Sequence, residues 1–170
     1  MTVIAWDGKT LAADKRATNC NLASTVTKVH RLPDGLVAFS GGGAHASELL
    51  NWFFGARNPD TYPRRDGDDG AGSLFIKADG TIFVYSATNP FPERIEDRFC
   101  ARGSGRDYAL AAMHLGCDAR KAVEVACEFD VSCGNGIDTL TLAEEPLATA
   151  VQALLHRSAL DEHVYGGPRV

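Results

Sequence analysis

The first fourteen residues constrain this chain most. Val3-Ile4-Ala5-Trp6 combines β-branched and aromatic residues that favour a strand, Asp7-Gly8 is a two-residue turn signal, and Leu11-Ala12-Ala13 continues as an apolar partner. If Met1 is removed, the amine and the hydroxyl of Thr2 share one residue at the head of a buried strand. A nucleophile and a weak base are then packaged together, as in the N-terminal-threonine form of an acyl-transfer site. Met-Thr starts are common, so the pair gains meaning only from two later residues, Asp14 and Lys28.

Past this hairpin, residues 15–24 are polar and read as a loop or irregular edge. Residues 25–32 alternate with period two, Pro33-Asp34-Gly35 is a turn, and Leu36-Val37-Ala38-Phe39-Ser40 is a short apolar strand. That strand runs into Gly41-Gly42-Gly43 and a helical stretch over 44–54, with Leu49, Leu50, Phe53 and Phe54 as its apolar positions. Residues 55–72, rich in Pro, Asp and Gly, read as a surface loop. A second hairpin spans 73–87 around Asp79-Gly80, and a short strand over 98–102 ends at Gly103-Ser104-Gly105. The spacing predicts a helix over 106–115 with Gly116 as its cap. Asp118 should cap a second helix to Phe129, with Ala122, Val125, Ala126 and Phe129 on one face. A last strand covers 136–143. Residues 1–143 make one domain, and 144–170 an appendage with a short helix around 147–157. Strands joined by hairpins and flanked by helices give an α+β fold: two antiparallel sheets face to face with helices outside, a four-layer αββα sandwich.

The balance of residues narrows function. A net charge of −5 argues against a nucleic-acid surface, which needs a basic excess. No apolar run reaches the roughly 18 residues of a membrane span, and no secretory leader is expected. Five cysteines without a Cys-x-x-Cys pair point away from a disulfide framework or a structural zinc site and toward a reducing cytoplasm. His30, His45, His114, His156 and His163 show no metal-ligand spacing, and Asp66-Gly67-Asp68-Asp69-Gly70 lacks the complete calcium-loop pattern, so no cofactor or metal is expected.

Five short motifs, in order, resemble those of proteasome β-type subunits among the N-terminal nucleophile hydrolases, closer to the bacterial HslV-like members than to eukaryotic ones. Thr2-Val3-Ile4 resembles the N-terminal threonine strand. Ala12-Ala13-Asp14 with Thr18 resembles the strand of the buried aspartate, and Thr27-Lys28-Val29-His30-Arg31-Leu32 that of the active-site lysine. Ser40-Gly41-Gly42-Gly43-Ala44 resembles the oxyanion-hole turn, and Gly103-Ser104-Gly105 the turn before the long helix pair. Beyond these five, Asp130-Val131-Ser132-Cys133-Gly134 resembles the family's Asp-x-x-Ser-Gly but departs from it, with Cys133 at the serine position. The resemblance covers about residues 2–143 and implies the αββα fold of that superfamily. It also implies catalytic roles for Thr2, Asp14, Lys28, Gly41, Ser104, Asp130 and Cys133.

The chemistry of these residue types can be argued separately. A threonine hydroxyl needs a base within hydrogen-bond reach, and an α-amine with an ordinary pKa of roughly 7.7–8.0 is usefully neutral near physiological pH. A Lys28 ammonium nearby would favour the neutral amine by like-charge repulsion, and Asp14 would be its counter-ion. The bland readings are a strand lysine reaching to the surface and a turn aspartate at a strand end. Gly41-Gly42-Gly43 turns backbone N–H groups toward a ligand; a phosphate loop is the rival use, but no Gly-Lys-Ser/Thr follows. Cys133 as a rival nucleophile lacks an accompanying His or Asn motif.

The resemblance thus implies a self-compartmentalised threonine peptidase acting on unfolded polypeptide. Its expected setting is a homo-oligomeric double ring of six or seven subunits per ring in the cytoplasm, with an ATP-dependent unfoldase as partner and no nucleic-acid or membrane partner. A catalytically silent ring subunit and a small-molecule amidase of the same superfamily are the alternatives.

Overall fold

The computed structural model describes residues 2–142. Strand β1 (Val3–Trp6) pairs antiparallel with β2 (Thr10–Asp14), Ile4 opposite Ala13 and Trp6 opposite Leu11. The turn is shifted by one residue from the sequence expectation. Asp7 N donates to Thr10 O at 3.3 Å, so Gly8-Lys9 forms the loop, with Gly8 at φ +96°. Asp7 instead organises the corner: its Oδ1 accepts from the N–H of Lys9 and Thr10, and its Oδ2 from Ala119 N at 2.8 Å.

The polar stretch over 15–24 is not a loop. It forms most of a two-stranded ribbon, β3 (Arg16–Asn19) with β4 (Leu22–Thr25). The same ribbon shortens the next strand. Val26 N donates to Lys15 O at 2.8 Å, which holds the chain at the ribbon, and β5 begins only at Val29 (Val29–Leu32). Next come β6 (Gly35–Gly41), α1 (Gly43–Phe54), β7 (Ala71–Lys77), β8 (Ile82–Tyr85), β9 (Glu93–Ile95) and β10 (Cys100–Gly103). Helices α2 (Arg106–His114) and α3 (Ala119–Phe129) and strand β11 (Ile137–Thr141) complete the described chain. Asp118 caps α3, its side chain accepting from Lys121 N at 2.7 Å. The segment between α1 and β7 is partly built in. A 3-10 turn (Pro59–Thr61) leads to Tyr62, which is 5% exposed against Trp52 and Tyr85.

Two antiparallel sheets, β10-β1-β2-β11 and β5-β6-β7-β8-β9, carry the molecule. Period-two alternation sorts their side chains into layers. Ile4, Trp6, Leu11 and Ala13 face Leu36, Ala38, Leu74 and Ile76 between the sheets. Val3, Ala5 and Ala12 turn the other way, onto α2 and α3. Val37, Phe39 and Phe75 leave the far face of the second sheet and meet Leu49, Trp52 and Phe53 of α1. Each large side chain buried this way contributes about 1.5–3 kcal/mol relative to exposure. The order α2/α3, sheet, sheet, α1 is the four-layer αββα sandwich.

Helix α3 buries Ala122 and Ala126 of the expected face, with Val125 packed at its edge, but adds Ala119 and Val123 and leaves out Phe129, which is 66% exposed and stacked on Tyr108. The sheet beneath it presents alanines, so small residues take the closest approach. In α1, Trp52 is buried beside Leu49 and Phe53, whereas Phe54 is half exposed. The expected appendage over 144–170, its helix, and Met1 lie outside the described residues.

Candidate active site

Thr2 stands at the head of β1, only 3% exposed. The end of β2 brings a carboxylate to it, and the residue just before β5 brings a cation. Lys28 Nζ donates to Thr2 Oγ1 at 2.9 Å and to Asp14 Oδ1 at 2.8 Å. Asp14, at the end of β2, is fully buried, and its carboxylate accepts from every side. Oδ1 also takes Val3 N at 3.0 Å, while Oδ2 takes Arg16 N at 3.1 Å and Gly134 N at 3.0 Å. Removing a carboxylate and an ammonium from water costs several kcal/mol per ion unless both are paired and hydrogen-bonded, a condition this geometry meets. Neither the snorkelling lysine nor the solvated turn aspartate describes this pair.

Gly103-Ser104-Gly105 wraps the Thr2 backbone closely. Thr2 N donates to Ser104 Oγ at 3.2 Å, Ser104 Oγ lies 3.3 Å from Thr2 O, and Gly105 N donates to Thr2 O at 3.3 Å. A Cβ on Gly103 would sit 2.0 Å from Thr2 O, and one on Gly105 2.9 Å from Val3 Cβ. Side chains would push the wrap off the threonine, which is the physical reason for the two glycines.

Cys133 lies 2% exposed between Ser104 and Asp130. Its Sγ is 3.9 Å from Ser104 Oγ and donates to Asp130 Oδ2 at 3.3 Å. Burial, with the Asp14 charge second, pushes the Cys133 thiol up to about 12, so it stays protonated at neutral pH. A protonated, buried thiol is a poor nucleophile and a weak hydrogen-bond bridge. Burial raises the Asp130 carboxyl, but hydrogen bonds from Ser104, Ser132 and Cys133 outweigh it and hold the group below its ordinary range.

Gly41 closes β6 opposite Ala71. Gly42 N donates to Gly70 O at 3.1 Å, and in an antiparallel ladder alternate residues point their N–H groups to opposite sides. The Gly41 N–H therefore faces away from β7, toward the side where Phe39 N donates to Lys28 O and where β5 has not yet begun. On that side a cleft of about 530 Å³ is lined by Thr2, Lys28 and Gly41. Gly42 N is already committed to Gly70 O, which leaves Gly41 as the better placed of the two donors.

All seven residues singled out from the sequence lie around Thr2 or the cleft beside it. Others were not anticipated. Gly134 N and Arg16 N complete the Asp14 shell, and the Arg16 guanidinium donates to Val131 O at 2.6 Å and to Asn135 Oδ1 at 3.3 Å, tying the 131–135 turn to β3. Gly134 stood within a recognised motif, but its backbone donor has no side-chain signature. His45 is fully buried, accepts from Ala71 N at 2.8 Å through Nδ1, and bonds Pro63 O through Nε2. Among the described residues no group of three or more His, Cys, Asp or Glu could hold a metal, and no helix is long and apolar enough to cross a membrane.

No protein-family model matches the chain. It is 27% identical over 181 residues to proteasome subunit beta 1 of Thermococcus onnurineus (strain NA1), covering 84% of this chain and 87% of that protein. Among solved structures, BPH of Thiobacillus denitrificans in complex with epoxomicin superposes with a TM-score of 0.65 at 22% identity, over 86% of this chain and 100% of that one. HslV of Trypanosoma brucei gives a TM-score of 0.58 at 22% identity, over 82% and 97%. The resemblance drawn from the motifs is thus matched by a relative in sequence, and the αββα fold by both structures.

Proposed function

We propose that this chain, proteasome β-type and HslV-like in sequence and fold, is a threonine-type endopeptidase whose nucleophile is the Thr2 hydroxyl, active once Met1 has been removed. The observation that carries this reading is the buried Lys28 ammonium held 2.9 Å from Thr2 Oγ1 and 2.8 Å from Asp14. With Met1 in place the Thr2 nitrogen is an amide, its lone pair delocalised and useless as a base. Once freed, the amine takes the hydroxyl proton while the oxygen attacks the scissile carbonyl, and Lys28 stabilises charge developing on that oxygen. The Gly41 N–H faces the carbonyl oxygen as it becomes an oxyanion; one such donor typically contributes about 2.7–4 kcal/mol. The ammonium so formed returns its proton to the leaving amine. Water, deprotonated by the same amine, then cleaves the acyl ester and restores Thr2. Ser104, with Asp130 and Cys133 behind it, holds the threonine backbone in place.

The same reading includes a cytoplasmic homo-oligomeric double ring of six or seven subunits per ring that takes unfolded polypeptide from an ATP-dependent unfoldase. Apolar side chains at the surface support assembly: Leu115 is 84%, Val131 88% and Phe129 66% exposed. They lie at the α2 and α3 layer, and Phe54 at the end of α1 adds a further apolar side chain, 50% exposed. Light scattering is expected to give a particle many times the 18.2 kDa chain; a stable monomer at micromolar concentration overturns the ring.

The decisive experiment compares protein starting at Thr2, protein retaining Met1, and Thr2→Ala. Intact-mass spectrometry after exposure to epoxomicin, an epoxyketone, should show an adduct only on the first, and only that form should hydrolyse peptides. Equal activity in the Met1-retaining form, or turnover by Thr2→Ala, rules the mechanism out.

A further inference from the structure

Beside the reacting centre the cleft has a second polar feature that the chemistry above does not use. His30, on β5, lines it two residues beyond Lys28, a spacing of about 6–7 Å along an extended chain. The ladder continues back to Lys28 through Phe39 N, so the two positions share one direction of the backbone. His30 is half-buried, and among the described residues neither ring nitrogen has a hydrogen-bond partner. Its ring leans on Phe39, centroids 5.9 Å apart and planes tilted by 52°. Phe39 is 4% exposed, and with Ala46 and Leu50 of α1 it gives the cleft an apolar wall. Asp68 and Asp69 belong to the same cleft but are exposed at its margin, where solvent and salt screen them.

An apolar wall ending in an unpartnered imidazole fits a side chain with an apolar body and a polar tip. Resting on the peptidase reading, we infer that His30 is a specificity-determining residue that selects tyrosine on the acyl side of the scissile bond. The tyrosine ring lies against Phe39 and Leu50, and its hydroxyl bonds the imidazole. A tyrosine whose backbone passes Thr2 and Lys28 reaches about as far as His30 stands from Lys28. Burial lowers the His30 pKa from its ordinary value, with Asp138 pulling weakly the other way, so at neutral pH the ring is uncharged and offers one donor and one acceptor. Phenylalanine would fill the same space but strip water from the imidazole without replacing it. A site that hydrogen-bonds a hydroxyl rejects the analogue lacking it. One neutral hydrogen bond corresponds to roughly a three- to tenfold preference for tyrosine over phenylalanine.

The test separates binding from turnover. Fluorescent peptides that differ only in Tyr, Phe, Arg or Asp at that position are titrated against Thr2→Ala protein prepared without Met1. In parallel, kcat/KM for the same peptides is measured on protein starting at Thr2. Tyrosine is expected to bind and react about three- to tenfold better than phenylalanine. In His30→Leu the ratio should fall to one or invert, and His30→Gln, which keeps a donor and an acceptor, should retain part of it. A Tyr/Phe binding ratio of one, a ratio unmoved by His30→Leu, tightest binding of Arg or Asp, or no binding of any peptide overturns the inference. A binding ratio that collapses in His30→Leu, without turnover by any form, sustains the inference and refutes the peptidase mechanism instead.

Discussion

Asp14 should be far harder to remove than its partner Lys28, and the asymmetry follows from how each is satisfied. In Asp14→Ala, the ammonium of Lys28, 7% exposed, loses its counter-ion, and the N–H groups of Val3, Arg16 and Gly134 lose their acceptor. Breaking a buried pair from one side costs about 3–5 kcal/mol. The orphaned N–H groups add about 1–3 kcal/mol each where water cannot reach them. Against a total of about 5–15 kcal/mol, Asp14→Ala should leave the chain barely folded. Lys28→Met breaks the same pair, but the carboxylate keeps three backbone donors and orphans none of them, so the loss should stay at the low end of the range for a broken buried pair, about 3 kcal/mol. Urea unfolding at fixed protein concentration, followed by fluorescence of buried Trp6 and Trp52, reports both. An Asp14→Ala variant within 1 kcal/mol of Lys28→Met would mean that the three backbone bonds do not hold the carboxylate as described.

Two further outcomes follow from the glycine turn and the thiols. Gly42→Ala places a Cβ 2.1 Å from Asp69 O and must displace the loop beside the cleft, so it should cost about 1–3 kcal/mol and most turnover, whereas Gly43→Ala, with nothing within 4 Å, should stay within about 0.5 kcal/mol. Equal melting temperatures for the two would refute the tight approach. In the native protein at pH 8, a thiol with its pKa pushed up to about 12 is thiolate in roughly one molecule in ten thousand. Iodoacetamide should therefore modify exposed Cys20 and spare Cys133 and Cys100; mass mapping that finds Cys133 modified as fast as Cys20 contradicts its burial.

What the sequence determined by itself is what neighbouring residues decide. Strand-favouring apolar runs bounded by turn residues specified β1, β2, β6 and β7, the period-two run over 25–32 announced β5, and Asp118 specified where α3 starts, because propensity, alternation and capping depend on residues only a few positions apart. The same locality explains the misses. Nothing within residues 15–25 shows that β3 and β4 pair with each other outside both sheets, or that their ribbon would hold Val26 and delay β5 until Val29. The buried face of α3 was rotated by the alanines beneath it, which come from β1 and β2 and not from the helix. The motifs supplied the residue types around Thr2. Tertiary structure alone decided that Asp14 is saturated by Gly134 N, 120 positions away, that the Gly41 N–H turns to the cleft while Gly42 N is spent on Gly70 O, and that His30 faces that cleft. Each of these is a backbone donor or an orientation set by register between distant strands. A backbone N–H is the same in every residue but proline, so its direction is settled only when the strands pair.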